Sequence, residues 1–394
     1  MTPFKSNRHP PSRAAQAKRP HAGEDCILVL QGGGALGAYQ SGAFEALCES
    51  YGDIAWVAGI SIGAINAALI VGNPAHARVA RLREFWQLVS SSAGLPGIAN
   101  RVAARETLNE ASATQGMLFG VPGFFAPRFP PAPFQPRGTL EAISYYDTAP
   151  LRQTLERLID FDLISSGAVR LSVGAVNVRT GNVEYFDSAK QRIDARHIMA
   201  SGALPPGFAP VEIDGEHYWD GGLVSNTPLQ YVLDQPGKRC RVVFQVDLFA
   251  ATGALPTTLA EVTEREKDIR FFSRTRLNTT NEMDRQVIAQ AAQRLIARLP
   301  PELRDDPDVQ ALSRVRGVSA VEVVHLIYRS KHYESQSKDF EFSRASVQEL
   351  WTSGQADMAH TLHDPRWVDR QPGGNGVHVF DLTSDSPSST RPIL

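Results

Sequence analysis

A serine hydroxyl is a poor nucleophile until the backbone lifts it clear of its neighbours and a base stands ready for its proton. Gly59-Ile60-Ser61-Ile62-Gly63 meets the first condition. It is a G-x-S-x-G turn between an apolar run, Ile54–Ile60, and a helix-forming run, Ala64–Val71. On a tight strand-to-helix turn, Gly59 and Gly63 avoid clashes that a Cβ would create. Ser61 then stands at a helix N-terminus, where developing negative charge is favoured. The competing reading is that Ser61 only caps that helix.

A nucleophile of this kind needs N–H donors for the oxyanion of a tetrahedral intermediate. Gln31-Gly32-Gly33-Gly34-Ala35-Leu36-Gly37 joins an apolar run, Cys26–Leu30, to a helical pattern through Ala43, Phe44, Leu47 and Cys48. Glycines there let the chain turn tightly with its amides outward, at the positive end of a helix. Gly33, Gly34 and Ala35 are the candidate donors, with Ile62 just after the serine. The spacing of Gly32, Gly34 and Gly37 also fits a dinucleotide fingerprint. That reading wants an acid at the end of the next strand, and Gly59-Ile60-Ser61 has none. A plain structural turn is the third reading.

Histidine is the usual base, but His325 falls inside an apolar strand pattern, and His332, His360 and His363 lack a glycine-flanked turn. His197 and His217 read as structural or surface residues. Tyr218-Trp219-Asp220-Gly221-Gly222 is different: a carboxylate leaves a strand end and two glycines follow. An acid so placed points into the crevice at which open α/β sheets bind ligands.

These residues need a sheet to hold them. Beyond the first two strands, Arg170–Val178, Val211–Ile213, His217–Trp219, Arg241–Phe249 and Val321–Tyr328 read as strands. Asp214-Gly215 marks a hairpin. Strand-helix alternation predicts an α/β fold, a mainly parallel central sheet with helices on both faces. A chain of 394 residues buries enough core to need no disulfide or metal. The three cysteines, Cys26, Cys48 and Cys240, read as buried thiols, and no cofactor or metal is expected. Forty basic residues balance 42 acidic ones, which argues against a nucleic-acid partner. No run of 18 apolar residues occurs and no apolar stretch follows the N-terminal charges, so a cytoplasmic protein is expected, with residues 1–24 a disordered basic arm.

The three motifs, in this order, resemble the patatin-like phospholipase family. Gly32–Gly37 is similar to its oxyanion loop, Gly59–Gly63 continuing through Ala68 to its nucleophile elbow, and Asp220-Gly221-Gly222 to its D-G-A/G motif. Ala200–Phe208 is similar as well. The resemblance covers about residues 24–250. It implies a three-layer sandwich and a Ser–Asp dyad without histidine, in which Ser61 attacks an ester carbonyl and Asp220 takes the proton. Since an ordinary aspartate is a weak base, the dyad requires a desolvated carboxylate. The implied substrate is a phospholipid or related lipid ester; acyl transfer and a non-catalytic lipid-binding module are the alternatives.

On this reading residues 25–250 form the catalytic domain, with a cap or lid insertion at about 90–150. Residues 251–364 form a helical extension with one strand, and 365–394 a disordered tail. Met117–Phe134 carries Phe119, Phe124, Phe125, Phe129 and Phe134 with no acid between Ala111 and Leu140. It is either a lipid-meeting lid or a loop packed on the core, and it leaves peripheral membrane contact open. Residues 255–300 carry two helical patterns; the second, from Met283 to Leu299, is a core-facing or dimer-facing stripe, which leaves a homo-oligomer open.

Overall fold

In the computed structural model the described residues are 24–51, 53–90, 102–235, 240–303, 305–313, 321–329, 338–370 and 377–382. The expected basic arm, apart from Glu24, lies outside them. β1 (Asp25–Leu30) runs into α1 (Gly37–Tyr51) and β2 (Trp56–Ile60) into α2 (Ile62–Val71), followed by α3 (Arg78–Val89). Next come α4 (Val102–Phe119), the two-residue strands β3 (Ala126–Pro127) and β4 (Tyr146–Asp147), α5 (Ala149–Leu158) and α6 (Phe161–Ser165). The sheet resumes with β5 (Arg170–Asn177) and β6 (Val183–Asp187), then α7 (Ala195–Ser201), β7 (Val211–Ile213), β8 (Glu216–Asp220), α8 (Leu229–Asp234) and β9 (Arg241–Asp247). The last part holds α9 (Leu259–Ile296), α10 (Pro307–Ser313), β10 (Val321–Ile327), α11 (Arg344–His363), α12 (Pro365–Val368) and β11 (Val377–Asp381).

Nine strands form one sheet in the order β11-β10-β9-β1-β2-β5-β8-β7, with β6 also on β5. The ladders from β11 to β5 are all parallel; β6 and β8 pair antiparallel with β5, and β7 antiparallel with β8. β1, β2 and β9 are buried along nearly their whole length. That is why they read as continuous apolar runs rather than alternating ones. One face carries Leu28, Leu30 and Phe244 under helices that include α1 and α11. The other face carries Ile27, Val29, Val243 and Val323 under Leu229, Val232 and Leu233 of α8. The expected α/β architecture is therefore the observed one. At the β7–β8 turn, Asp214 and Gly215 both take positive φ, 52° and 84°, as the hairpin signal requires.

The C-terminal part departs from expectation. Residues 251–364 do not stand beside the catalytic domain as an extension. β10 adds to the sheet next to β9, and α11 lies directly on α1. A Cβ at Gly42 would come within 1.9 Å of the Trp351 carbonyl oxygen, and one at Gly354 within 2.0 Å of that of Tyr39. Two backbones approach this closely only where the side chains are missing. Nor is the chain a tail from Pro365: Trp367 of α12 packs on Phe244 and Phe380, and β11 pairs with β10. The two helical patterns of 255–300 are one helix, α9, because no glycine or proline interrupts them.

Candidate active site

β5 brings two strand ends together. Ile60, the last residue of β2, pairs with Gly174, and Asp220, the last of β8, pairs with Ala175. β6 takes the opposite edge of β5, along Ser172–Val176. β2 and β8 must therefore share one edge of β5, where they meet head-on. Ser61 follows the one end and Asp220 closes the other.

Ser61 stands at φ 55° and ψ −125°, and its side chain makes no capping bond to α2. The helix-cap reading thus loses its bond, and a strained backbone at a non-glycine residue points to function. The amide is held in place: Ser61 N–H donates to Ser201 Oγ at 3.0 Å, and that hydroxyl donates to the Gly174 carbonyl at 2.7 Å. The flanking glycines are sterically required. A Cβ at Gly59 would lie 2.2 Å from the Gly63 carbonyl oxygen, and one at Gly63 2.4 Å from that of Leu30.

The Ser61 side chain lies near enough to the Asp220 carboxylate to lower its pKa. Asp220 Oδ1 accepts the Gly222 N–H at 2.7 Å, and the Asp220 amide is anchored on the Ala203 carbonyl at 3.0 Å. The side chain is buried, with the residue 2% exposed. Burial pushes the carboxyl up from 3.8 to about 6, against the lowering effect of Ser61 and of the Gly222 N–H. A carboxylate poised there is a far better proton acceptor near neutral pH than an ordinary one. Gly221 packs where a Cβ would lie 2.6 Å from the Gly174 carbonyl oxygen.

The glycine loop lies against the serine: a Cβ at Gly32 would come within 3.0 Å of Ser61 Cβ. Asn226 grips the loop from the other side. Gly32 N–H donates to the Asn226 carbonyl at 3.1 Å, and Asn226 Nδ2 donates to the Gly32 carbonyl at 2.9 Å. Gly33 is extended and Gly34 takes φ 56°. Among the described residues the N–H groups of Gly33 and Gly34 have no partner. Ile62 is the first residue of α2, where helix amides are unsatisfied by the helix itself. Gly37 opens α1 beside it; a Cβ there would meet Ile62 Cγ1 at 2.5 Å. Ala35 is a correction. Its N–H donates to the Asp339 carbonyl at 2.8 Å, so it is not available as an oxyanion donor.

No described histidine joins the pair. His197 belongs to a capping box, accepting the Asp194 N–H at 3.0 Å, and His217 is exposed. His325 sits on β10, three strand spacings and roughly 14 Å from β2. Burial pulls it down to about 4, so it is neutral where an esterase works. His360 and His363 lie in the last turn of α11, and His332 is outside the described residues. Asp247 is a second buried carboxyl, pushed up to about 7 by desolvation, but Gln245 Nε2 holds both its oxygens, at 2.9 and 2.8 Å. Ser201, Asn226 and Asp339 are the site residues that sequence reading passes over. Ser201 sits in a run that carried signal, Ala200–Phe208; Asn226 and Asp339 lie outside the motifs.

Two family profiles match the chain. One described as "Patatin-like phospholipase" matches residues 28–233, and one described as "Patatin phospholipase" matches residues 269–373. Comparison with curated proteins finds no match. Among solved structures, VipD from Legionella pneumophila is similar at 14% identity and a TM-score of 0.35, over 86% of this chain and 66% of that one. The human GIVD cytosolic phospholipase A2 is similar at 14% identity and 0.32, over 56% of this chain and 43% of that one. The type III effector protein ExoU is similar at 13% and 0.33, over 86% and 52%. The chain thus spans between about two fifths and two thirds of the lengths of these three.

Proposed function

From a chain that belongs to the patatin-like phospholipase family, we propose a lipid acyl hydrolase that cleaves a carboxylic ester of a phospholipid or related lipid through an acyl-Ser61 intermediate. The observation that carries this reading is the junction of β2 and β8 on one edge of β5, which brings Ser61 next to the buried carboxylate of Asp220. Ser61 Oγ attacks the ester carbonyl carbon as its proton passes to Asp220. The carbonyl oxygen becomes an oxyanion facing the N–H groups of Gly33, Gly34 and Ile62. The bond to the alcohol then breaks, and Asp220 returns the proton to the departing oxygen. Water attacks the acyl carbon next, Asp220 takes its proton, and Ser61 leaves with that proton.

The geometry supports each role on physical grounds. Preorganised amides at the head of two helices cost no reorganisation as charge develops, and one such donor is worth about 3–4 kcal/mol. A carboxylate next to the hydroxyl takes the place of a histidine relay, with Asp220 as the group that receives the proton. The test is labelling with a fluorophosphonate probe together with a panel of phospholipids and lysophospholipids. Wild type should be labelled and turn over at least one lipid class; Ser61→Ala should do neither while keeping its fold. Labelling that persists in Ser61→Ala would place the nucleophile elsewhere.

A further inference from the structure

Of the five phenylalanines between Met117 and Phe134, two serve the core. Phe125 packs against Tyr146 and Phe208, and Phe124 against Phe85 and Phe342. The other three face outward: Phe119 is 75% exposed, Phe129 95% and Phe134 78%. Single exposed apolar side chains are ordinary, but three large aromatics on one anchored segment, with exposed Leu118 beside Phe119, present apolar area that water does not favour.

The segment is tied by backbone hydrogen bonds to the loop that anchors Asp220. Arg128 N–H donates to the Tyr145 carbonyl at 3.1 Å, and the amides of Tyr145 and Tyr146 donate to the carbonyls of Pro206 and Gly207 at 3.2 and 2.9 Å. The same 203–208 loop holds Asp220 through the Ala203 carbonyl at 3.0 Å. Exposed Leu204 and Val224 lie on either side of that aspartate in the chain's own loops. The only charges from Ser112 to Thr139 are Arg128 and Arg137; Glu110 and Glu141 flank this stretch in sequence, and Asp147 pairs across from Ala126.

We infer that this surface docks on a lipid bilayer with anionic head groups, the phenylalanines entering the acyl boundary and the arginines meeting phosphate. Aromatic rings are favoured at that depth, and arginines complement an anionic surface. The inference rests on the lipid hydrolase reading and names where its substrate is collected. Docking here would set the bilayer against the loop that carries Asp220, so a lipid need not cross water to reach Ser61.

The test is co-sedimentation with vesicles of phosphatidylcholine and phosphatidylglycerol, comparing wild type, Ser61→Ala and the double variant Phe129→Ser, Phe134→Ser. Both replaced residues are so exposed that the double variant should keep the wild-type unfolding temperature. Each replacement should lower the vesicle partition about tenfold, which is about 1.4 kcal/mol and a little under the worth of fully burying a phenylalanine. Ser61→Ala should bind as wild type does. If it binds but wild type cleaves no lipid, the catalytic reading fails and the docking surface stands. Wild-type protein that ignores vesicles, a double variant that binds them equally, or a wild-type dimer that the double variant dissociates would each overturn the docking surface.

Discussion

Replacing Asp220 by asparagine should make the protein nearly inactive and, at neutral pH, more stable. The unfolded carboxyl titrates near 3.8 and the native one near 6. Below pH ~4 both states are protonated and burial costs little. Between those values the unfolded chain ionises first, and above pH ~6 the native state carries the whole cost of an ionised carboxylate in a desolvated site. At about 1.36 kcal/mol per pH unit, that cost reaches about 3 kcal/mol. Asparagine escapes it while preserving the bonding pattern. Its oxygen can still accept the Gly222 N–H, and its amide can face the Ser61 hydroxyl, which then turns to accept.

Asp220→Asn should therefore be about 2–3 kcal/mol more stable than wild type at pH ~8 and close to even at pH ~4. Urea unfolding at the two values measures this. Turnover of a soluble ester should fall by about 10²–10⁴, the usual worth of a positioned base. In wild type, kcat/KM should climb through pH ~6 and level off above it, since the free enzyme's base must be ionised. Equal stability gains at both pH values would refute the claim that the carboxyl is held ionised at a cost. More than a tenth of wild-type turnover in the variant would refute its role as base.

Two further substitutions probe the glycine loop proposed to bind the oxyanion. Gly34→Ala forces a Cβ into φ 56° and within 2.1 Å of the Asp339 carbonyl oxygen; it should cost about 1–3 kcal/mol in urea unfolding and reduce kcat on a soluble ester at least tenfold, as the Gly33 and Gly34 amides swing off target. Lys338→Met removes an ammonium 3% exposed that bonds Glu264 Oε1 and Asp268 Oδ1, each at 2.9 Å, and should destabilise by about 3 kcal/mol through two acids left unpaired. Because Asp339, next in the chain, holds the Ala35 amide, its kcat should fall more than its KM rises, and Lys338→Arg should restore part of both.

The sequence announces backbone requirements and hides backbone gifts. Gly59, Gly63 and Gly34 are visible because only glycine fits where a carbonyl oxygen lies 2.1–2.4 Å from a would-be Cβ. The buried strands are visible because their apolar runs have nowhere else to go. Asp339 contributes to the same loop through its carbonyl oxygen alone, and any residue has a carbonyl, so no side chain could mark it. The misplaced boundary at residue 250 has the same origin. α11 joins the core through glycines at 42 and 354 that present as ordinary helix positions, and β11 is only five residues, Val377–Asp381, next to a glycine-rich stretch. Those two elements and α12 close the sheet's far edge, and the chain leading into α11 supplies the strap on the glycine loop. A truncation after β9 would therefore leave Ser61 and Asp220 in the chain but remove the contact that fixes the Ala35 amide and the cover over α1. The motif-bearing half carries Ser61 and Asp220, and the C-terminal part holds the glycine loop beside them through the Asp339 carbonyl.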